Sequence, residues 1–160
     1  DAAGLQAAHL ARDAGAVVLF DGTWQSAALA EFLPLVDHAV VSAFFARVWM
    51  PDATDDDILR RLCDLGAATA VLTLGAGGCR ALRGERFLSQ PAFSTEVVDT
   101  TGAGDAFHGG YAVACLEGHD LAGTLRLASA AAALNCRALG GQRGLPTRQE
   151  VDALLATNAT

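Results

Sequence analysis

The segment Asp99–Gly110, reading DTTGAGDAFHGG, gathers the residue types that phosphoryl chemistry needs. Gly102, Ala103 and Gly104 can present consecutive backbone amides at the start of a helix. The helix dipole adds positive potential there, so the three form an anion hole without a cationic side chain. Asp105 falls in the first turn of that helix. A carboxylate acting only as a cap needs no flanking Gly-Ala-Gly, and a plain phosphate loop gains nothing from a second negative charge. The pair makes sense when the carboxylate takes a proton from a hydroxyl while the amides stabilise charge on a transferring phosphoryl group. His108 lies one turn beyond Asp105, in a packing or supporting position.

The remaining polar residues narrow this chemistry. All 11 basic residues are arginine, and the absence of lysine excludes a Walker-A loop. Gly75-Ala76-Gly77-Gly78 is a second glycine-rich turn. It is not a dinucleotide fingerprint, because Arg80 stands where GxGxxG needs its last glycine. A dehydrogenase reading fails on that point. The triple Asp55-Asp56-Asp57 follows Thr54 and is explained by helix capping and the helix dipole. Cys63, Cys79, Cys115 and Cys136 lack the short paired spacing of a zinc site and read as reduced, buried thiols. His9, His38 and His119 have no partners in sequence and read as surface or satisfied core residues.

These residues must be positioned by an alternation of helices and short apolar strands. Ala2–Ala14 has helical spacing and ends at Gly15. AVVLF (16–20), HAVVS (38–42) and TAVLTL (69–74) are short apolar runs, the pattern of strands covered on both faces. Ser26 can cap a helix running to about Val36, although Pro34 is discordant with it. FFARVW makes a short helix, and Thr54 begins another that runs to Leu65. CRALRGERFLS reads as a hairpin turning at Arg83-Gly84. Two Ala-rich helices, roughly Gly104–Glu117 and Leu121–Arg137, follow the glycine motif. LGGQRG then leads to Thr147 and Glu150, a capping box for the last helix. Alternation of this kind predicts one α/β domain over residues 1–160, with a mostly parallel sheet between helical layers. The chain opens in a helix without the strand that should precede it, as if part-way through a larger fold.

The motif DTTGAGDAFHGG resembles the C-terminal signature of the PfkB, or ribokinase-like, carbohydrate kinases. TAVLTLGAGG is similar to the strand and turn that approach the ATP phosphates in that family. ASAAAALNCRALGGQRGLPTRQEVDALL resembles its closing helix, loop and final helix. AVVLFDGTW and HAVVSAFFA match its preceding strands more loosely. The resemblance implies a ribokinase-like three-layer α/β/α fold with a mostly parallel central sheet, a β-hairpin at one edge and the N-terminal part of the fold lacking.

The same resemblance implies roles for individual residues in ATP-dependent phosphorylation of a hydroxyl on a sugar or sugar-like molecule. Asp105 would be the base, and Gly102, Ala103 and Gly104 the anion hole. Thr73, Gly75 and Gly78 would lie along the ATP phosphates, with Ser129 near the adenine. Asp99 and the backbone of Thr101, with carbonyls around Gly140 and Gly144, would form a monovalent-cation site for K+. Mg2+ would accompany ATP. Two departures stand out. Many relatives carry Asn-x-x-Glu where this chain reads Ser42-Ala43-Phe44-Phe45, without a carboxylate, and the sugar-binding half of the family is absent. A non-catalytic nucleotide-binding or structural fragment is therefore the alternative.

Charge and hydropathy set the partners. A net charge of −7 without a basic stripe argues against nucleic acid. No apolar run reaches the roughly 18 residues that span a bilayer, and Asp1–Gly15 is not a secretory signal. The expectation is a cytoplasmic protein that binds a small-molecule sugar and no membrane. Apolar faces and a buried strand left without neighbours predict self-association into a homo-oligomer.

Overall fold

The computed structural model describes residues 2–23 and 29–158. The described chain divides into two compact units: residues 1–74 with 80–89, and residues 75–79 with 90–160.

The first unit is built on a five-stranded sheet. Its strands are β1 (Leu19–Gly22), β2 (His38–Ser42), β3 (Thr69–Thr73), β4 (Cys79–Arg83) and β5 (Arg86–Gln90), ordered β1-β2-β3-β4-β5. β1, β2 and β3 run parallel, with Val40 opposite Asp21 on one side and Val71 on the other. The middle residues of β2 and β3, Ala39-Val40-Val41 and Ala70-Val71-Leu72, are wholly buried, as expected of strands covered on both faces. β4 and β5 are joined by only two residues, which forces them antiparallel, and Gly84 turns the chain at φ +59°.

The helices of this unit are α1 (Ala2–Asp13), α2 (Leu29–Phe32), α3 (Ala43–Trp49) and α4 (Asp55–Asp64). Leu33, Phe45, Ile58, Leu59 and Leu62 pack with Ala39, Val41, Ala70 and Leu72 in one core. Each Asp of the triple has a use at the start of α4. Asp57 closes a capping box with Thr54, Asp55 pairs with Arg47 and Asp56 with Arg80.

Two expected boundaries move, each for a local reason. The first strand begins at Leu19 rather than Ala16 and extends through Asp21-Gly22. The Asp37 carboxylate accepts the Val18 amide at 2.8 Å, so a side chain takes a donor that a ladder would have used. The helix expected to reach Val36 gives way after Phe32 to a 3₁₀ turn, Leu33–Leu35, with Pro34 near its start. Proline has no amide to continue an α-helical ladder. The expected cap at Ser26 lies outside the described residues.

The second unit is helical. α5 (Ala103–Leu116) and α6 (Leu121–Asn135) pack along their lengths, and α7 (Arg148–Thr157) closes against α6. Small residues permit the close approach: a Cβ at Gly110 would sit 3.0 Å from the Ala128 backbone. Ala114, Leu127, Ala130, Leu134 and Val151 form its core. Among the described residues, no helix is long and apolar enough to cross a membrane.

Candidate active site

The Asp99–Gly102 turn is held from below by the end of α6. The amides of Val98 and Asp99 both donate to the Cys136 carbonyl, at 2.8 and 3.2 Å. The Asp99 carboxylate then joins two loops. One oxygen accepts the Thr101 amide (2.9 Å) and hydroxyl (2.8 Å), and the other accepts the Gly140 amide at 2.8 Å. Donation from the Thr101 amide, then from Gly140, holds the Asp99 carboxyl below the usual carboxylate range.

Gly102 is the N-cap of α5 and takes a left-handed conformation, φ +76°. A Cβ there would lie 2.7 Å from the Gly141 Cα, so conformation and space both require glycine. No side chain caps the helix. Among the described residues, the amides of Gly102, Gly104 and Asp105 donate to no protein acceptor, while Ala103 spends its amide on the Thr100 carbonyl at 3.1 Å. The open donors are therefore Gly102, Gly104 and Asp105, with Asp105 in the place of Ala103 in the Gly102–Ala103–Gly104 set that spacing suggests. Asp105 is exposed, and its carboxylate makes no hydrogen bond or ion pair among the described residues. His108 bonds through Nδ1 to the Gly104 carbonyl at 2.8 Å and has its ring edge-on to Phe107, so it buttresses the first turn.

In the same unit, Gly75–Gly77 forms a 3₁₀ turn closed by the Gly78 amide on the Gly75 carbonyl, at 2.9 Å. The two outer glycines differ. A Cβ at Gly78 would strike the Gln90 carbonyl at 2.1 Å, whereas Gly75, at φ +57°, faces open space. Gly78 is needed for packing, and Gly75 leaves a backbone surface that a ligand can approach. Ser129 is buried on α6, with its hydroxyl 3.7 Å from the Cys79 sulfur, a thiol that burial raises to about 11. Thr73 belongs to the other unit, at the carboxyl end of β3, where its hydroxyl donates to the Val41 carbonyl at 3.4 Å.

Sequence reading missed Asn135. This side chain is fully buried, and its Nδ2 donates to the Thr101 carbonyl at 3.0 Å. Gly144 packs so tightly on its backbone that a Cβ would fall 2.0 Å from the Asn135 carbonyl oxygen. Asp99, Thr101, Gly102, Gly140 and Gly144 thus meet around the end of α6. The signal in sequence was a lone amide side chain closing an Ala-rich helix.

Comparison with known proteins identifies the family. The profile described as pfkB family carbohydrate kinase matches residues 1–148. Ribokinase of Bacillus subtilis (strain 168) is 39% identical over 124 residues, covering 76% of this chain and 41% of the relative. Among solved structures, Arabidopsis thaliana ribokinase complexed with ribose and ATP superposes with a TM-score of 0.83 at 29% identity, covering 95% of this chain and 51% of that one. Aminoimidazole riboside kinase from Salmonella enterica, complexed with aminoimidazole riboside and an ATP analogue, gives a TM-score of 0.83 at 31% identity. That match covers 94% of this chain and 56% of that one. The chain spans about half the length of the relatives it matches. Its fold is of the ribokinase-like α/β class, and the chain belongs to the pfkB family of carbohydrate kinases.

Proposed function

We propose that this chain carries the phosphoryl-transfer machinery of an ATP-dependent kinase acting on a hydroxyl of a sugar or nucleoside. One observation carries the reading. The start of α5 leaves three amides open and places an unpartnered carboxylate, Asp105, on the same turn. In this mechanism Asp105 takes the hydroxyl proton as the acceptor oxygen bonds to the γ-phosphorus. The bond to the bridging oxygen breaks and ADP leaves, while the Gly102, Gly104 and Asp105 amides bear the charge on the transferring group. Gly75 and Gly78 are assigned to the phosphates of ATP, and Ser129 to the adenine side. Mg2+ bound to ATP would neutralise phosphate charge.

A K+ ion is proposed at Asp99 with the carbonyls of Thr101, Gly140 and Gly144. These are hard oxygen donors suited to it. The buried Asn135 Oδ1, which has no hydrogen-bond partner, lies on the amide that binds Thr101. Ser42, at the first position of the departed Asn-x-x-Glu motif, instead caps α3 through the Phe45 amide at 3.1 Å.

Asp105→Asn tests the assignment in the whole enzyme. The phosphotransfer rate should fall about 10²–10⁴-fold with ATP affinity nearly unchanged. A variant that keeps its rate overturns the base. A second reading is nucleotide binding without catalysis, which the open α5 amides alone would allow. Measurable phosphotransfer to any sugar by the 160-residue chain would reject it. Self-association is proposed through exposed apolar side chains such as Val113 and Leu116 on α5. Light scattering at the mass of one chain overturns that.

A further inference from the structure

We infer that Asn135 is a positioning residue: its side-chain amide fixes the Thr101–Gly102 peptide so that the Gly102 N–H faces outward as a phosphate donor. The inference rests on reading the α5 N-terminus as the phosphate site. A trans peptide holds its C=O and N–H on opposite sides of one plane, so a bond that pins the carbonyl also aims the amide. Asn135 Nδ2 pins the Thr101 carbonyl at 3.0 Å. Asp99 pins the amide of the preceding peptide at 2.9 Å, and Gly102 follows in its left-handed conformation with its N–H open. The turn is thereby held on one side by a carboxylate acceptor and on the other by an amide donor. Neither bond uses the Gly102 amide itself.

The identity of residue 135 supports a specific task. The side chain is fully buried at the end of a helix lined by Ala131 and Leu134, where leucine would pack without a polar cost. Its Oδ1 finds no partner. A buried amide that leaves one of its polar atoms unsatisfied is retained here with one described bond, and that bond goes to the peptide preceding the open donor. The Asn orientation follows from chemistry, since only the NH2 can donate to a carbonyl. Gly144 packs on the Asn135 backbone, where a Cβ would fall 2.0 Å from the carbonyl oxygen, and so fixes the helix end that carries the side chain.

The test uses the 160-residue chain with ¹⁵N-labelled glycine in K+-free buffer, titrated with a non-hydrolysable ATP analogue. Asn135→Leu keeps shape and removes the donor. Its ligand-free Gly102 resonance should move while Gly110 stays, and nucleotide affinity read at Gly102 should weaken about two- to tenfold. Asn135→Asp supplies a donor only while its buried carboxyl is protonated. Its Gly102 resonance should match the unaltered chain at low pH and move towards that of Asn135→Leu as pH rises. A general packing role would disturb Gly102 and Gly110 alike, without that titration. An unchanged Gly102 resonance in Asn135→Leu overturns the inference, and if that variant does not fold, a pH-independent Gly102 in Asn135→Asp does so. Should no glycine amide of the unaltered chain respond to nucleotide, the phosphate-site reading fails. The ligand-free comparison still decides whether Asn135 aims the peptide.

Discussion

The N-termini of α4 and α7 are closed, and that of α5 is open. In α4, Thr54 accepts the Asp57 amide while Asp57 reaches back to the Thr54 amide at 3.0 Å. In α7, Thr147 and Glu150 do the same, with the return bond at 2.8 Å. The same device would have been available to α5, because Asp105 occupies the corresponding third position. Yet the cap there is glycine, and the carboxylate does not turn back. A helix that satisfies its first amides with its own side chains has nothing left for a ligand. The open end forgoes the stabilisation that a cap confers and keeps its donors aimed outward. Its geometry is maintained from outside the helix, by Asp99, Asn135 and the close approach of Gly141.

The strongest way to break this contrast is Gly102→Ala. A left-handed alanine costs roughly 1–2 kcal/mol, and the 2.7 Å overlap with the Gly141 Cα must also be relieved. A loss of about 2–4 kcal/mol in unfolding free energy is expected, read from the denaturant midpoint. The amide response to an ATP analogue should vanish in the variant that still folds. A midpoint within experimental error of the unaltered chain would show that the turn does not need glycine.

The closed ends were legible in the sequence because every partner lies three residues away. Thr54 with the acidic run, and Thr147 with Glu150, state their own geometry. The buried strands were equally plain, since HAVVS and TAVLT each centre on three consecutive apolar residues, Ala39-Val40-Val41 and Ala70-Val71-Leu72. The family's glycine motif also declared the open end. What could not be read depends on distant partners. The slip of β1 comes from Asp37, 19 residues beyond the Val18 amide it captures. Asn135 reaches Thr101 across 34 residues, and in sequence it looks like the last residue of an Ala-rich helix. The spending of Ala103's amide on Thr100 is a matter of turn geometry that Gly-Ala-Gly spacing does not reveal.

At the closed ends, Thr54→Ala and Thr147→Ala should each cost about 1 kcal/mol, a fall of about 2–4 °C in the melting temperature. Neither should alter the nucleotide response of the α5 amides. If either change weakened that response as strongly as Gly102→Ala, the division between structural and ligand-binding helix ends would collapse.

The smallest effect sharpens the contrast through pH. The Thr147 amide, then Arg137 and the Thr147 hydroxyl, hold the Glu150 carboxyl down at about 2, against an ordinary value of 4.5. The folded state therefore favours the ionised form. The stabilisation is fully present above about pH 4.5 and is lost as pH falls towards 2. The exposed setting keeps the contribution small. Glu150→Gln removes the titration and should flatten that part of the acid-unfolding curve, leaving stability above pH 6 only slightly lowered. Denaturant midpoints measured from pH 6 to pH 2 read the difference. Parallel curves for the two proteins would mean that the α7 box does not hold its carboxylate in solution. The closure of α7 would then rest on the Thr147 hydroxyl alone.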